Sequence, residues 1–212
     1  MSDRPSQSDS SNLKIEESIV TKQECIDPDY LKSQQKLSTT HFAWDPQYTS
    51  DVIELTAMNR CLFLKEEHYN FRTVVANKSF DSGVHYWEII ADARTENELK
   101  VGVCKNREFD LKTAFSDYAF GWAYYCIGQL RHCDFANGTT FGNKAMKKDG
   151  VLGVLLDMTK GTLSFSLNGN LLGVAFEDEE LKKGPVWPSV ALLHCAGCTL
   201  VTGKPAPSIF FA

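Results

Sequence analysis

The pattern of apolar and polar positions divides the chain into two parts. Residues 1 to about 40 are dominated by Ser, Asp, Glu, Lys and Gln, and their isolated apolar residues sustain no period of 2 or 3.6. This composition predicts a disordered tail over residues 1–40. Within it, Asp27 followed by Pro28 is a helix-start signal, which predicts one short helix.

From Trp44 onward, short β-branched and aromatic runs alternate with Gly, Asn, Asp and Pro at the spacing typical of an all-β sandwich. Because no long helical period interrupts them, the runs predict two packed antiparallel sheets. The predicted strands are Val52–Leu55, Cys61–Lys65, Arg72–Ala76, Val84–Ala91, Lys100–Cys104, Phe120–Tyr125, Leu130–Cys133, Val151–Asp157, Thr162–Leu167, Leu171–Phe176, Trp187–Leu193 and Cys198–Val201.

The clearest local signal is a hairpin within GTLSFSLNGNLLGVAF, residues 161–176. Leu163, Phe165 and Leu167 alternate with polar residues, which predicts a strand with one buried face. Asn168 and Gly169 supply the two positive-φ positions that a type I′ turn requires. The preceding run, Val151–Asp157, lacks polar alternation and therefore predicts a strand covered on both faces.

Net charge and targeting signals narrow the choice of partner and compartment. The 212 residues carry a net charge of -5 with no long basic run, so we expect neither nucleic-acid nor membrane binding. The N-terminus lacks an apolar signal region, and no apolar stretch approaches the ~18 residues of a membrane span. We therefore expect a cytoplasmic protein, with the nucleus as the alternative, and a monomer.

Cysteine usage fits the same compartment. The chain has seven cysteines, an odd number, and no export signal, which predicts reduced thiols rather than a disulfide framework. Cys195 and Cys198 form a C-x-x-C beside His194, but a second ligand pair at zinc-site spacing is missing from the sequence. We therefore expect small buried side chains here, and no metal.

Several motifs follow one another along the chain. They are Trp44-Asp45-Pro46, FDSGVHYWEI at residues 80–89, GVLLDMTKGTLSFSLNG at residues 153–169, NLLGVAF at residues 170–176 and GPVWPSVAL at residues 184–192. In this order they resemble the SPRY (PRY-SPRY) domain of tripartite-motif proteins and SPRY/SOCS-box adaptors. FDSGVHYWEI is similar to the family's G-x-H-Y-W-E-V strand, GVLLDMTKGTLSFSLNG to its L-D-x-x-x-G-T-L-S-F hairpin, and Trp44-Asp45-Pro46 to its opening element. The resemblance implies a bent, concanavalin-like antiparallel β-sandwich over residues 41–207, followed by a C-terminal tail over 208–212.

The resemblance also implies a function, namely recognition of a peptide or loop of a partner protein through inter-strand loops, with no cofactor. Such modules can act as substrate-recognition adaptors linked to ubiquitination. The sequence shows no RING, B-box, coiled coil or SOCS box, so we expect no ligase activity of its own. The Arg-Pro and Trp-Gly that bind Asn-rich peptides in some adaptors are also missing, because Arg72 lacks a following Pro and His194-Cys195 replaces Trp-Gly.

The residues themselves give no support to an enzyme. G-x-S-x-G, H-E-x-x-H and G-x-G-x-x-G are missing, and no Ser, His and acid stand out by their spacing. The acidic run Glu177–Glu180 could dock a basic partner, but charge runs of this kind are most often solvated loops. We therefore predict a binding module without catalytic residues.

Five loops are the candidate recognition surface, because loops held on a rigid sandwich carry binding residues at low ordering cost. They cover residues 66–73, 92–99, 110–119, 134–149 and 194–197. The predicted partner contacts are Arg72, Arg94, Tyr118, Phe135 and His194.

Two further readings remain open. A sandwich of this kind could instead bind a sugar or phosphorylated metabolite, for which Arg72, Arg131, His132 and Lys144 would form the polar lining. In the other reading, the domain is a scaffold that its tail brings to an oligomer.

The sequence also predicts which aromatic residues lie in the core and which lie at the surface. Alternation places Phe120, Trp122 and Tyr124 on one strand face, with Trp122 in the core and Tyr118 at the rim. Trp87 and Trp187 are also predicted to lie in the core, on the family's pattern.

Overall fold

The computed structural model describes residue 39 and residues 41–65, 69–95, 98–133, 138–141, 145–146 and 149–212. The predicted tail, apart from Thr39, and the helix predicted at Asp27 lie outside these residues. Within them the chain forms strands and three short 3-10 turns, at Phe115–Asp117, Glu179–Lys182 and Ser208–Phe210. This described part of the chain contains no helix long and apolar enough to cross a bilayer.

Fourteen strands are formed by the described residues. They are β1 Trp44–Thr49, β2 Ile53–Thr56, β3 Cys61–Leu64, β4 Arg72–Ala76, β5 Val84–Ala91, β6 Leu99–Cys104, β7 Gly121–Tyr125, β8 Gln129–Arg131, β9 Thr139–Thr140, β10 Val151–Asp157, β11 Thr162–Leu167, β12 Asn170–Glu177, β13 Trp187–Leu192 and β14 Gly197–Val201.

The strands form two seven-stranded antiparallel sheets, which confirms the predicted all-β sandwich. Sheet A has the order β1-β4-β13-β6-β7-β8-β9, and sheet B has the order β12-β11-β10-β5-β14-β3-β2. Two strands escaped prediction. β1 contains Pro46, pairs irregularly with β4 and lies at an edge, where a proline is tolerated. β9 has only two residues, too few to show a period.

The 161–176 hairpin forms as predicted. Asn168 and Gly169 have φ values of 50° and 77°, and β11 pairs with β12 across the turn. The Asn168 side chain also accepts a 2.8 Å hydrogen bond from the backbone N–H of Val151, which ties the turn to β10. The expectation of one buried face was wrong, however, because Ser164 and Ser166 on the second face are buried as well.

The main core fills the space between the sheets. Its largest fully buried members are aromatic, and both Trp87 and Trp122 belong to it, as predicted. Phe42 anchors the first described segment in this core, since its ring meets the rings of Phe80 and Trp87 edge-on at 5.9 Å. Both faces of β10 are covered, which confirms the prediction for that strand.

A second cluster covers the outer face of sheet A, and it corrects two predictions. Residues 105–120 fold back over the sheet and place the fully buried Phe115 against it. Trp187 is half-buried in this cluster rather than in the main core. Phe120 also joins it, on the opposite face from Trp122 and Tyr124, because β7 begins only at Gly121.

A third, smaller cluster covers the outer face of sheet B. Tyr86, Leu155 and Ala206 are buried there, and the ring of Phe210 meets Tyr86 at 5.7 Å. Lys204 bonds Glu88 at 2.7 Å, which holds the C-terminal segment to β5. This segment helps to explain why the second face of the hairpin sheet is not solvent-exposed.

Strands β6 and β7 approach so closely at Gly102 that no side chain fits. A Cβ atom there would lie 1.8 Å from the carbonyl oxygen of Trp122. Gly169, by contrast, has open space around it but a positive φ of 77°.

We predict that Gly102→Ala lowers the free energy of unfolding by about 2–3 kcal/mol because the backbone must shift, whereas Gly169→Ala costs about 1–2 kcal/mol through φ strain alone. Urea denaturation of both variants measures the difference, and equal losses would contradict the close-approach argument.

The burial of His85 leads us to predict that the stability of the domain depends on pH. Its ring is buried, stacks on Phe80 at 3.8 Å and donates through Nε2 to the carbonyl of Ser82. Burial, with a smaller contribution from Lys78, lowers the pKa of His85 below 6.5. Because the unfolded chain then binds the proton first, stability present above pH 6.5 is lost as the pH falls toward the folded pKa. Urea titrations at several pH values should show a shallower acid-side decline for His85→Gln than for the wild type, and identical slopes would exclude this role.

Candidate functional site: the loop end of the sandwich

Three connections between the sheets meet at one end of the sandwich, which we call the loop end. They are residues 65–71 between β3 and β4, 92–98 between β5 and β6, and 193–196 between β13 and β14. The strand registers place Leu64, Ala91 and Leu192 at this same end. Topology therefore brings together three of the five loops that the sequence predicted as a recognition surface, and the described end of a fourth, 134–149, lies here too, because Asp149 donates to the carbonyl of Ala91.

A buried threonine joins two of these loops. The Thr95 hydroxyl donates to the carbonyl of Gly197 and accepts from its N–H, both at 2.8 Å. Gly197 also accepts from the N–H of Asp92, and Leu193 donates to the carbonyl of Glu98. These bonds join Asp92, Thr95 and Glu98 to the backbone of Leu193 and Gly197, so these described residues of the loop end are held together without a ligand.

The most exposed aromatic side chain of the loop end is Tyr69. Its side chain is 74% exposed, yet its ring stacks on that of His194 at 4.8 Å with an interplanar angle of 10°. His194 has a positive φ of 56° and a buried Nδ1 that makes no hydrogen bond within the described residues. Because His194 covers one face of the Tyr69 ring, the other face is presented to solvent in a fixed orientation.

Cations and aromatic rings form a strip on the adjoining outer face of sheet A. The Lys100 ammonium lies 4.1 Å from the ring centroid of Phe71 and 5.7 Å from that of Tyr125, and it bonds Asp117 at 3.1 Å. The Arg131 guanidinium lies 5.5 Å from the same Tyr125 ring. Both cations are more than nine-tenths buried. Burial raises the pKa of Tyr125, so its hydroxyl stays a hydrogen-bond donor at neutral pH.

Among the predicted contacts, Arg72 lies within sheet A rather than at the rim. Its side chain is buried, and its guanidinium donates to the carbonyls of Phe71 and Lys112 at 3.3 and 3.2 Å. These bonds tie the 105–120 segment to β4. This placement suits a positioning residue, and a direct contact role for Arg72 stays a prediction.

Arg94 is exposed, but its guanidinium already contacts other side chains of this chain. Its guanidinium makes two hydrogen bonds to the Asp92 carboxylate, at 2.7 and 2.8 Å, and lies 3.5 Å above the Phe63 ring. The hydrogen bond from Arg94 lowers the pKa of Asp92, which keeps the pair ionised. Its contact role also stays a prediction.

Tyr118 lies in the aromatic cluster on the outer face of sheet A. Its ring is half-buried, stacks on Phe120 at 4.9 Å and lies 5.3 Å from Phe109, and its hydroxyl is 3.1 Å from Thr113 Oγ1. The partly exposed ring is compatible with the predicted rim position. Phe135 and Lys144 lie outside the described residues, so their roles also stay predictions.

The polar lining suggested for a small ligand does not converge in the described structure. Arg131 faces Tyr125 on the outer side of sheet A, whereas His132 stacks on the core residue Trp122 at 4.9 Å. Arg72 bonds backbone carbonyls instead of facing either one. The three described members of that set therefore lie in three different surroundings.

The acidic run at 177–180 makes internal contacts. Asp178 accepts from the indole N–H of Trp122, and Glu179 pairs with Lys182. Bonds from Lys105 and Lys183 lower the pKa of Glu180 to about 2. These pairs leave little free charge for a basic partner, in keeping with the loop interpretation.

Cys198 of the C-x-x-C is a core residue. It is almost fully buried, and burial raises the pKa of its thiol well above the ordinary value. Cys195 is half-buried in the loop that precedes β14. The sequence interpretation of Cys198 as a small buried side chain is confirmed.

The SPRY domain family model matches residues 84–205, more than half of the chain. The chain therefore belongs to the SPRY domain family, as its motifs indicated.

Individual relatives extend the comparison. The chain is 28% identical over 191 residues to the E3 ubiquitin-protein ligase TRIM9 of Drosophila melanogaster, covering 82% of this chain and 24% of that protein. It thus spans about a quarter of that relative's length. Family and relative together support a protein-interaction module.

Solved structures show the same fold. The TRIM65 PSpry domain matches with a TM-score of 0.60 and 21% identity, over 82% of this chain and 95% of that chain. The SPRY domain of human HERC1 matches with a TM-score of 0.56 and 19% identity, over 76% of this chain and 99% of that chain. At these identities the likeness concerns the fold alone.

Several residues of the loop end are not predicted as contacts from the sequence. Tyr69 lies in a predicted loop without a pattern that marks it, and Thr95 carries no sequence signal for its reciprocal bonds. Lys100 had a signal, since a lysine inside the apolar run LKVGVC must find a partner when buried.

We predict that Thr95→Val loosens the loop end. Valine keeps the volume but leaves the N–H of Gly197 without its buried acceptor and the carbonyl of Gly197 with only the bond from Asp92, which costs about 1–3 kcal/mol. Hydrogen exchange of the Gly197 amide should accelerate locally, while Thr95→Ser should restore its protection. Unchanged exchange in the valine variant would show that Thr95 does not hold the two loops together.

Proposed function

We propose that this domain recognises a peptide or loop of a partner protein at the loop end, by binding rather than catalysis. The observation that carries the proposal is the exposed Tyr69 ring, held on His194 beside the strip of Phe71, Lys100 and Tyr125. Binding hot spots are enriched in tyrosine and arginine, and a fixed ring loses little conformational entropy on binding.

The chemistry of the strip favours particular partner groups. Lys100 and Arg131 are held in place with their charge directed along aromatic faces, and they lie where little water competes. A partner that offers an acidic or aromatic side chain next to an apolar one fits this combination best. We propose that His194 contributes through its stack with Tyr69 and that Tyr118 contributes at the rim.

The wider role that we propose is substrate recognition linked to ubiquitination. Its support is the likeness to TRIM9, which is named as a ubiquitin ligase and of which this chain spans about a quarter. We further propose a monomer that acts in the cytoplasm or nucleus on proteins rather than nucleic acids or membranes. The six described cysteines are all free, as a reducing compartment would keep them.

A phage-displayed library of random peptides tests the proposal without a known partner. Peptides selected on the wild-type chain should lose about tenfold or more in affinity for Tyr69→Ala, the size of effect seen at hot spots. Tyr69→Phe should retain most of the affinity, because it keeps the stack on His194. Val174→Ala serves as the control and should bind like the wild type, because Val174 is an exposed apolar side chain on β12, an edge strand of sheet B.

Two results would count against this surface. Peptides that bind wild type and Tyr69→Ala equally would place recognition elsewhere on the domain. A library that yields no peptide, together with saturable binding of a sugar or phosphorylated metabolite that Arg131→Gln abolishes, would favour the small-ligand reading instead.

A further inference from the structure

A depression at the end of the sandwich opposite the loop end has features of a second docking site. It is a shallow, open surface feature of about 470 Å³ and lies where β1 begins, β4 ends and the β2–β3 turn reverses the chain. Its lining residues are His41, Phe42, Ala43, Met58, Arg60, Asn77 and Lys78. We call it the basic depression.

Backbone hydrogen bonds hold its walls in place. Asn77 clamps Ala43, donating from its N–H to the Ala43 carbonyl at 2.9 Å and accepting from the Ala43 N–H through Oδ1 at 3.1 Å. Trp44 donates to the carbonyl of Asn59, and Arg60 accepts from Leu200, at 2.9 and 2.8 Å. The depression is therefore formed before any partner arrives, which lowers the ordering cost of binding.

The turn that borders the depression carries an exposed apolar side chain on unusual backbone. Ala57, Met58 and Asn59 have consecutive positive φ values of 51°, 56° and 60°. Left-handed backbone disfavours residues with a Cβ atom, so two of these positions would suit glycine better. Met58 is nevertheless 84% exposed, and its flexible thioether side chain suits varied apolar partners. Retained strain of this kind is a reason to suspect function.

The charges around the depression are unbalanced. Arg60 and Lys78 form no ion pair with any residue that the structure describes, and the described lining of the depression contains no carboxylate. Elsewhere on the surface, Lys65 pairs with Glu54 and Lys204 pairs with Glu88. On a chain with a net charge of -5, Arg60 and Lys78 line one depression without an ion pair among the described residues, and a negative ligand would neutralise them.

We propose that the basic depression docks an acidic segment of a partner protein, with an apolar side chain of that segment against Met58. Charge complementarity with Arg60 and Lys78 selects the acidic class, and the exposed thioether selects an apolar neighbour. The site lies at the opposite end from Tyr69, so one chain could hold two segments at once. Neither surface depends on the other, and each is tested separately.

Methyl NMR of the full chain labelled on methionine tests this proposal. The probe is a capped, glutamate-rich peptide with a central Leu-Phe pair, and the same peptide with glutamines is its control. The Met58 methyl resonance, assigned through Met58→Leu, should shift and saturate with the glutamate peptide only. Arg60→Gln combined with Lys78→Gln should weaken binding about tenfold. The matched control, Lys65→Gln with Lys204→Gln, removes the same net charge and should bind like the wild type.

Three results would overturn the proposal. The Met58 methyl resonance could stay unchanged at saturating peptide, which would show that the depression is not the site. Both double variants could weaken binding equally, which would reduce the effect to net charge. The resonance could respond only to phosphatidylserine-containing vesicles, or only to rising concentration of the chain itself, which would assign the surface to lipid or to a second copy.

Discussion

The outer face of sheet A must be covered, and the rest of the structure depends on how this is done. Thr73 is the anchor: it is fully buried and bonds Leu111, Thr113 and Phe115 of the covering segment. Burying one phenylalanine, here Phe115, contributes about 1.5–3 kcal/mol relative to leaving it exposed. The segment 105–120 thereby becomes part of the fold instead of a free loop.

The cover decides which side chains are available at the loop end. By placing Asp117 beside Lys100, it allows a buried lysine to stay charged next to two aromatic rings. By stacking Tyr118 on Phe120, it fixes the rim. A buried ion pair adds little net stability, but removing one partner leaves an uncompensated charge, so the pair specifies this arrangement more than it strengthens it.

The same cover explains where sequence reasoning succeeded and failed. Local rules sufficed for the strands and turn of the 161–176 hairpin, because these are encoded within a few residues, but not for the burial of its second face. They failed for Trp187, since the layer that covers it comes from residues 105–120, which are distant in sequence from β13. They failed for Phe120, since β7 begins only at Gly121 and the strand alternation does not extend to this residue. The loop end was predicted as a set of loops, but the Tyr69–His194 stack and the Thr95–Gly197 bonds join residues 125 and 102 positions apart. No sequence period records such contacts.

The two ends of the sandwich differ in how their charged side chains are paired and solvated. Lys100, next to the loop end, is buried and paired with Asp117, which holds its ammonium group in place. Folding has therefore already removed most of the water around this charge, and a ligand would not have to displace it. At the opposite end, Arg60 and Lys78 remain unpaired with described residues and still hydrated, so a ligand would have to displace water around them. Interactions with exposed charges are screened by salt much more than those with buried ones. Recognition at the loop end should therefore depend on shape and aromatic contact, and attraction at the basic depression on ionic strength.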